Sequence, residues 1–116
     1  MDFSFKKQDR VRKSKEYAQL KQFGVVFKTK LLVFNYLKSS NMRLGVIVTK
    51  KVGNAVFRNR VKRWVRESFR IEKKLFLEPL DVVIIPRTSA LSYEEIRRDF
   101  IYFAGKMNEK AVDRSN

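Results

Sequence analysis

Wound at about 100° per residue, residues 55–70 sort into two unlike arcs. Phe57, Val61, Trp64, Val65 and Phe69 gather on one side. Arg58, Asn59, Lys62, Arg63, Arg66 and Arg70 fall on an opposing arc of about 140°, with Arg60 at its border. Such a segment can be stable only as a helix whose apolar arc is received by another layer, and a sheet is the partner expected here. The cationic arc needs its own explanation. Like charges one turn apart each cost about a few tenths of a kcal/mol in an isolated helix, so a row this dense makes better sense with phosphates nearby than as a merely solvated face. Arginine suits that task because its planar fork grips phosphate bidentately and stacks on bases.

The residues ahead of this helix strengthen the anion reading. Thr49-Lys50-Lys51-Val52-Gly53-Asn54 sets two lysines and a glycine beside the unpaired amides of a helix start, with Asn54 as its cap. Gly53 also suits a strand-to-helix turn that needs positive φ. Neither GxxxxGK[ST], GxGxxG nor a GXXG loop is present, so a nucleotide pocket is disfavoured against a phosphodiester backbone.

Elsewhere, Ser14 is placed to cap a short helix running to about Phe23, with Tyr17, Leu20 and Phe23 on one side and Gly24 as its stop. The apolar run Val25 to Leu37 and the run Met42 to Thr49 are expected to pair as a hairpin across Lys38-Ser39-Ser40-Asn41. Val82-Val83-Ile84-Ile85, opened by Asp81 and closed by Pro86, reads as a strand covered on both faces. Ser92 and Glu95 form a capping box for a last helix, whose Ile96, Phe100, Phe103 and Met107 make a core stripe. No linker or repeat divides the chain, which reads as a single RNA-binding domain over 1–116, with a basic N-terminal segment at 1–13 and a frayed tail at 111–116.

Charge and composition narrow the function. The 116 residues hold 27 Lys plus Arg against 12 Asp plus Glu, a formal charge of +15. Residues 50–74 carry 10 basic and 2 acidic side chains, whereas 75–116 carry 6 and 7, so the polyanion-facing surface belongs to the first 74 residues. Cysteine and histidine are absent, which removes disulfides, thiolate or imidazole metal sites, and the Ser-His-Asp and Cys-His nucleophiles. A self-sufficient hydrolase is therefore not expected. With no bilayer-spanning apolar run and no secretory h-region, the expectation is a soluble, cytoplasmic protein with no membrane partner.

The stretch from Lys50 to Arg70, with Arg58-Asn59-Arg60 at its centre, closely resembles the signature of the bacterial ribonuclease P protein subunit and its "RNR" helix. The likeness extends from Arg10-Val11-Arg12 and Glu16-Tyr17, through Arg43-Leu44-Gly45, to Asp81-Val82-Val83 and Leu91-Ser92-Tyr93. The resemblance implies an α+β fold: a two-layer α/β sandwich similar to domain 2 of ribosomal protein S5, with the RNR helix in a left-handed βαβ crossover that the usual right-handed rule would not suggest. It also implies a protein subunit of ribonuclease P, whose large RNA partner uses Mg²⁺ to remove the 5′ leader of precursor tRNA. The metal would be held mainly by RNA, with no organic cofactor and no obligate protein partner. Lys50, Lys51, Arg58, Asn59, Arg60, Lys62, Arg63 and Arg66 match the family's RNA-contacting motif; Arg70 continues the row and Arg12 joins it from the N-terminal segment. Tyr17 and Leu20 match a leader-binding cleft between the first helix and the sheet. Family members often carry a second aromatic four residues after the first, and Lys21 stands there in this chain, which shifts the expectation at that point from stacking toward charge attraction.

Two other readings compete. One is a ribosomal or architectural RNA-binding protein with no part in cleavage, which composition alone does not separate from the first. The other is a metal-dependent nuclease built on Asp81, Glu94, Glu95 and Asp99; against it, the two glutamates sit in a first helical turn, where acids suit the macrodipole without any metal.

Overall fold

The computed structural model describes residues 7–11 and 13–115; Arg12 and residues 1–6 lie outside the described residues, and with them much of the basic N-terminal segment. The elements follow in the order α1 (Ser14–Phe23), β1 (Val25–Lys28), β2 (Leu32–Lys38), β3 (Arg43–Val46), α2 (Ala55–Glu72), β4 (Leu80–Pro86) and α3 (Tyr93–Ser115). The strands form one sheet in the order β1-β2-β4-β3.

That order corrects the expected hairpin. The run 25–37 is itself a hairpin, folded at Thr29-Lys30-Leu31, with Val26 opposite Asn35 and Lys28 opposite Val33. Strands β2 and β3 do not pair. Instead β4 inserts between them, antiparallel to β2 and parallel to β3. The physical reason is burial: β4, whose run Val82 to Ile85 is wholly apolar, is stabilised best in the centre, where neighbours satisfy both its edges and helices cover one face fully and the other in part. The connection from β3 through α2 to the parallel β4 is the βαβ crossover that the family resemblance implies. Residues 10 and 11 close the outer edge of β3, where Arg10 bridges to Leu44 and the Val11 amide donates to the Leu44 carbonyl at 3.0 Å.

Helices α2 and α3 cover one face of the sheet. Val61, Val65 and Phe69 of α2 and Ile96, Phe100 and Phe103 of α3 are fully buried against Leu32, Phe34, Val82 and Ile84. Phe103 is the hub, stacked on Phe34 at 4.3 Å between ring centroids and touching Phe27, Tyr36 and Phe76. The short α1 covers only part of the other face, where Leu20 packs with Val11 and Val83.

The helix ends explain the boundaries. Asn54 caps α2 as expected, its Oδ1 accepting from the Phe57 amide at 2.9 Å. At α3 the Glu95 amide donates to Ser92 Oγ, whose hydroxyl donates to Glu95 Oε1 at 3.0 Å. At α1 the expectation is corrected: Lys13, not Ser14, is the capping position, and its amide donates to Glu16 Oε1 at 3.0 Å, so the acid in the first turn does the capping. Phe23, expected on the packed side of α1, is 64% exposed. The tail expected to fray is helical through Ser115, because Ala111 is buried and Arg114 pairs with Glu78.

Candidate nucleic-acid interface

The approach to α2 is a single 3-10 turn, Lys50–Val52, that buries Val52 and leaves both lysines exposed. Gly53 then takes φ 157° and ψ −170°, a region essentially restricted to glycine, and a Cβ there would come within 2.9 Å of the Phe57 ring. This turn aims the first amides of α2 outward beside Lys50 and Lys51. Arg58 reinforces it, donating from Nε to the Gly53 carbonyl at 3.2 Å.

Along α2 the two arcs separate as the spacing predicts. Val61, Val65 and Phe69 are buried, Phe57 and Trp64 half-buried, and Asn59, Arg60, Arg63 and Arg66 exposed. Lys62 and Arg58 are half-buried, their stems lying along the protein. Arg70 differs from the rest of the row. It forms a two-point ion pair with Glu67, Nε to Oε2 at 3.0 Å and Nη2 to Oε1, and that pairing holds the Glu67 carboxyl below its ordinary range.

On the far side of the sheet, α1 and the strands bound a cleft of about 370 Å³ lined by Tyr17, Leu20, Lys21, Asn35, Ile47 and Val83 among others. Tyr17 is half-buried with its ring against β3, so close that a Cβ on Gly45 would lie 2.7 Å from the Tyr17 hydroxyl. Burial pushes the Tyr17 pKa up, the Arg66 guanidinium draws it partly back, and Glu16 adds to the rise. Leu20 is 2% exposed and serves as cleft floor and core at once, while Lys21 is exposed at the rim.

The structure thus brings together Tyr17, Leu20 and Lys21 in one hollow, and Lys50, Lys51, Arg58, Asn59, Arg60, Lys62, Arg63 and Arg66 on one edge; Arg12 lies outside the described residues. Sequence spacing did not reveal Asn35, whose buried Oδ1 has no hydrogen-bond partner among the described residues. The available signal was a lone amide between Phe34 and Tyr36 in a strand otherwise apolar to Leu37. Nor did it reveal Ile47, which lies beyond the end of β3.

Three of the four carboxylates weighed for a nuclease are engaged elsewhere, and Glu94 is exposed in the first turn of α3. Asp81 holds Arg43, Asp99 accepts from Thr29 Oγ1 at 2.6 Å, and Glu95 belongs to the α3 cap. Among the described residues no group of three or more acidic side chains stands close enough to hold a metal ion. No helix among them is long and apolar enough to cross a membrane.

A cleft beside α1 and a helix with a cationic exposed face, on one four-stranded sheet, define a small α+β protein. Comparison with known proteins specifies which. The ribonuclease P family model matches residues 5–114. A ribonuclease P protein component from Syntrophus aciditrophicus is 43% identical over 102 residues, spanning 83% of this chain and 84% of its own length. Among solved structures, the ribonuclease P protein of Thermotoga maritima superposes with a TM-score of 0.75 at 28% identity, covering 84% of this chain and 96% of its own. That of Staphylococcus aureus gives 0.74 at 26% identity, covering 86% and 94%. The chain belongs to the ribonuclease P protein family. As such it is an RNA-binding, tRNA-processing component of an endoribonuclease ribonucleoprotein, partnered by the ribonuclease P RNA.

Proposed function

We propose that this subunit binds the catalytic RNA through the exposed face of α2 and the Lys50–Lys51 turn, and holds the 5′ leader of precursor tRNA in the cleft under α1. The observation that carries the reading is the cleft beside α1, a hollow of about 370 Å³ lined by Tyr17, Leu20, Lys21 and Ile47, with Ile47 only three residues ahead of the Lys50–Lys51 turn that leads into α2. An extended single strand suits such a site, because a π-face accepts any base while nearby cations follow the backbone. Lys21 at the rim adds charge beside the Tyr17 ring. Hydrolysis is then the work of the RNA and its Mg²⁺, in keeping with a chain that has no histidine, no cysteine and no carboxylate cluster among the described residues. The protein's part is to screen repulsion between two polyanions and to hold the leader in place.

The test is cleavage of a precursor tRNA at low Mg²⁺ by the protein alone, by a bacterial ribonuclease P RNA alone, and by both together. Activity in the mixture only is the expected result. Cleavage by the protein alone would move the chemistry onto this chain, and no gain over bare RNA would leave a general RNA-binding protein.

A further inference from the structure

Helix α1 forms one wall of the cleft but is weakly anchored by apolar contact: Leu20 is its one buried residue. Its far end is set by close backbone approach, since a Cβ on Gly24 would fall 2.0 Å from Asn35 Oδ1 and 2.2 Å from the Leu20 carbonyl. Its near end is held by charge. Arg43, the first residue of β3, donates from Nε to Asp81 Oδ1 at 2.7 Å and from Nη2 to Asp81 Oδ2 at 2.6 Å, while its Nη1 reaches Glu16 Oε2 in the first turn of α1. One planar guanidinium therefore ties β3, β4 and α1 together, and the side chains involved are only 15–26% exposed. Glu16 also accepts from the Lys13 amide, so the same carboxylate ends the helix and anchors it. Tyr17 is the next residue along α1, and its ring rests on Gly45, two residues along β3 from Arg43.

We propose that Arg43 is a positioning residue for the cleft: its fork sets the distance of α1 and Tyr17 from the sheet, and so the grip on the leader. This rests on the leader-binding reading above. Lysine cannot replace the fork, because a single ammonium lacks the fixed geometry to meet both Asp81 oxygens and Glu16 at once.

The experiment uses holoenzyme reconstituted with Arg43→Lys or Glu16→Gln protein, and precursor tRNAs carrying either an extended leader or a single-nucleotide leader. For Arg43→Lys, KM on the extended leader should rise about tenfold, the order expected when a binding wall shifts by a fraction of an ångström. Its kcat, and KM on the single-nucleotide leader, should stay unchanged. Glu16→Gln should move the same parameter less, because the amide oxygen still accepts from Arg43. Residual dipolar couplings in the free full-length chain should show α1 rotated against an unchanged sheet. An unmoved α1, or an equal rise in KM on both substrates, overturns the proposal. If α1 rotates but wild-type holoenzyme makes no distinction between the two leaders, the positioning stands and the leader-binding reading falls.

Discussion

On the face of the sheet that meets α2 and α3, Leu32, Phe34, Val82 and Ile84 are fully buried; on the opposite face Val33, Asn35 and Ile85 of the same two strands are only half covered. The first face is closed by stacked aromatics. The second is closed at one end by Leu20, Val11 and Val83, held by the Arg43 fork, and left open above Asn35 and Ile47. Two strands with period-2 alternation thus serve two ends at once. Apolar burial on one side supplies the stability that lets the other side keep an amide oxygen with no partner among the described residues, a feature that costs about 1–3 kcal/mol when buried. Substitutions on the first face should therefore change stability, and those on the second should change binding.

The largest effect expected on that division is at Phe103. Phe103→Ala removes the hub of the aromatic cluster and should lower unfolding free energy by about 3–5 kcal/mol in urea titration, with RNA affinity per folded molecule unchanged. A small stability loss would mean that the cluster repacks and that the closed face is less specific than its geometry suggests. Next comes the cationic edge. Arg63→Glu with Arg66→Glu should weaken RNA binding by roughly one to two orders of magnitude at low salt, and flatten log K against log salt by about 0.7 to 0.9 per lost phosphate contact. Both side chains are exposed, so thermal unfolding should barely move. An unchanged slope would remove α2 from the interface.

Much of this division is legible in the sequence, because it depends on short periodicities. The arcs of α2, the stripe of α3 and the two-sided burial of β4 all follow from local spacing, and the structure places Val61, Val65, Phe69, Ile96, Phe100 and Phe103 where that spacing predicts. Strand order is a different kind of fact. Whether β2 pairs with β3 or admits β4 between them depends on which partner buries the most apolar surface across more than forty residues of chain, and a turn-like Lys38-Ser39-Ser40-Asn41 points to the wrong answer. The cleft inherits that non-locality. Tyr17 meets Gly45, Asn35 meets Val83 and Arg43 meets Glu16 only after the sheet is assembled.

Two glycines give a smaller test of the same contrast. Gly45→Ala should cost about 1–3 kcal/mol and weaken leader-dependent binding several-fold, since its Cβ must push the Tyr17 ring off β3. Gly105 lies exposed in α3, and a methyl group there would meet nothing within 4 Å, so Gly105→Ala should stabilise by about 0.5–1 kcal/mol and leave binding alone. Thermal melts and leader-length-dependent KM distinguish the two. Equal behaviour at both positions would show that the Tyr17 contact does not shape the cleft.

The smallest expected effect concerns Glu67, the acid set among the cations of α2. Its carboxyl is held below the usual range by Arg70, so the pair's contribution is complete at neutral pH and is lost only as pH falls through that lowered value. Arg70 is exposed enough that this contributes little stability. The pairing matters instead for recognition, because a guanidinium gripped at two points by its own helix is a poor ligand for phosphate. Glu67→Gln should loosen that grip at constant pH. RNA affinity should then rise about two- to threefold, and the salt slope should steepen by up to about 0.7 to 0.9 as Arg70 joins the row. Unchanged affinity and slope would mark Arg70 as the end of the helix's internal charge pairing, with the nucleic-acid face ending one turn earlier at Arg66.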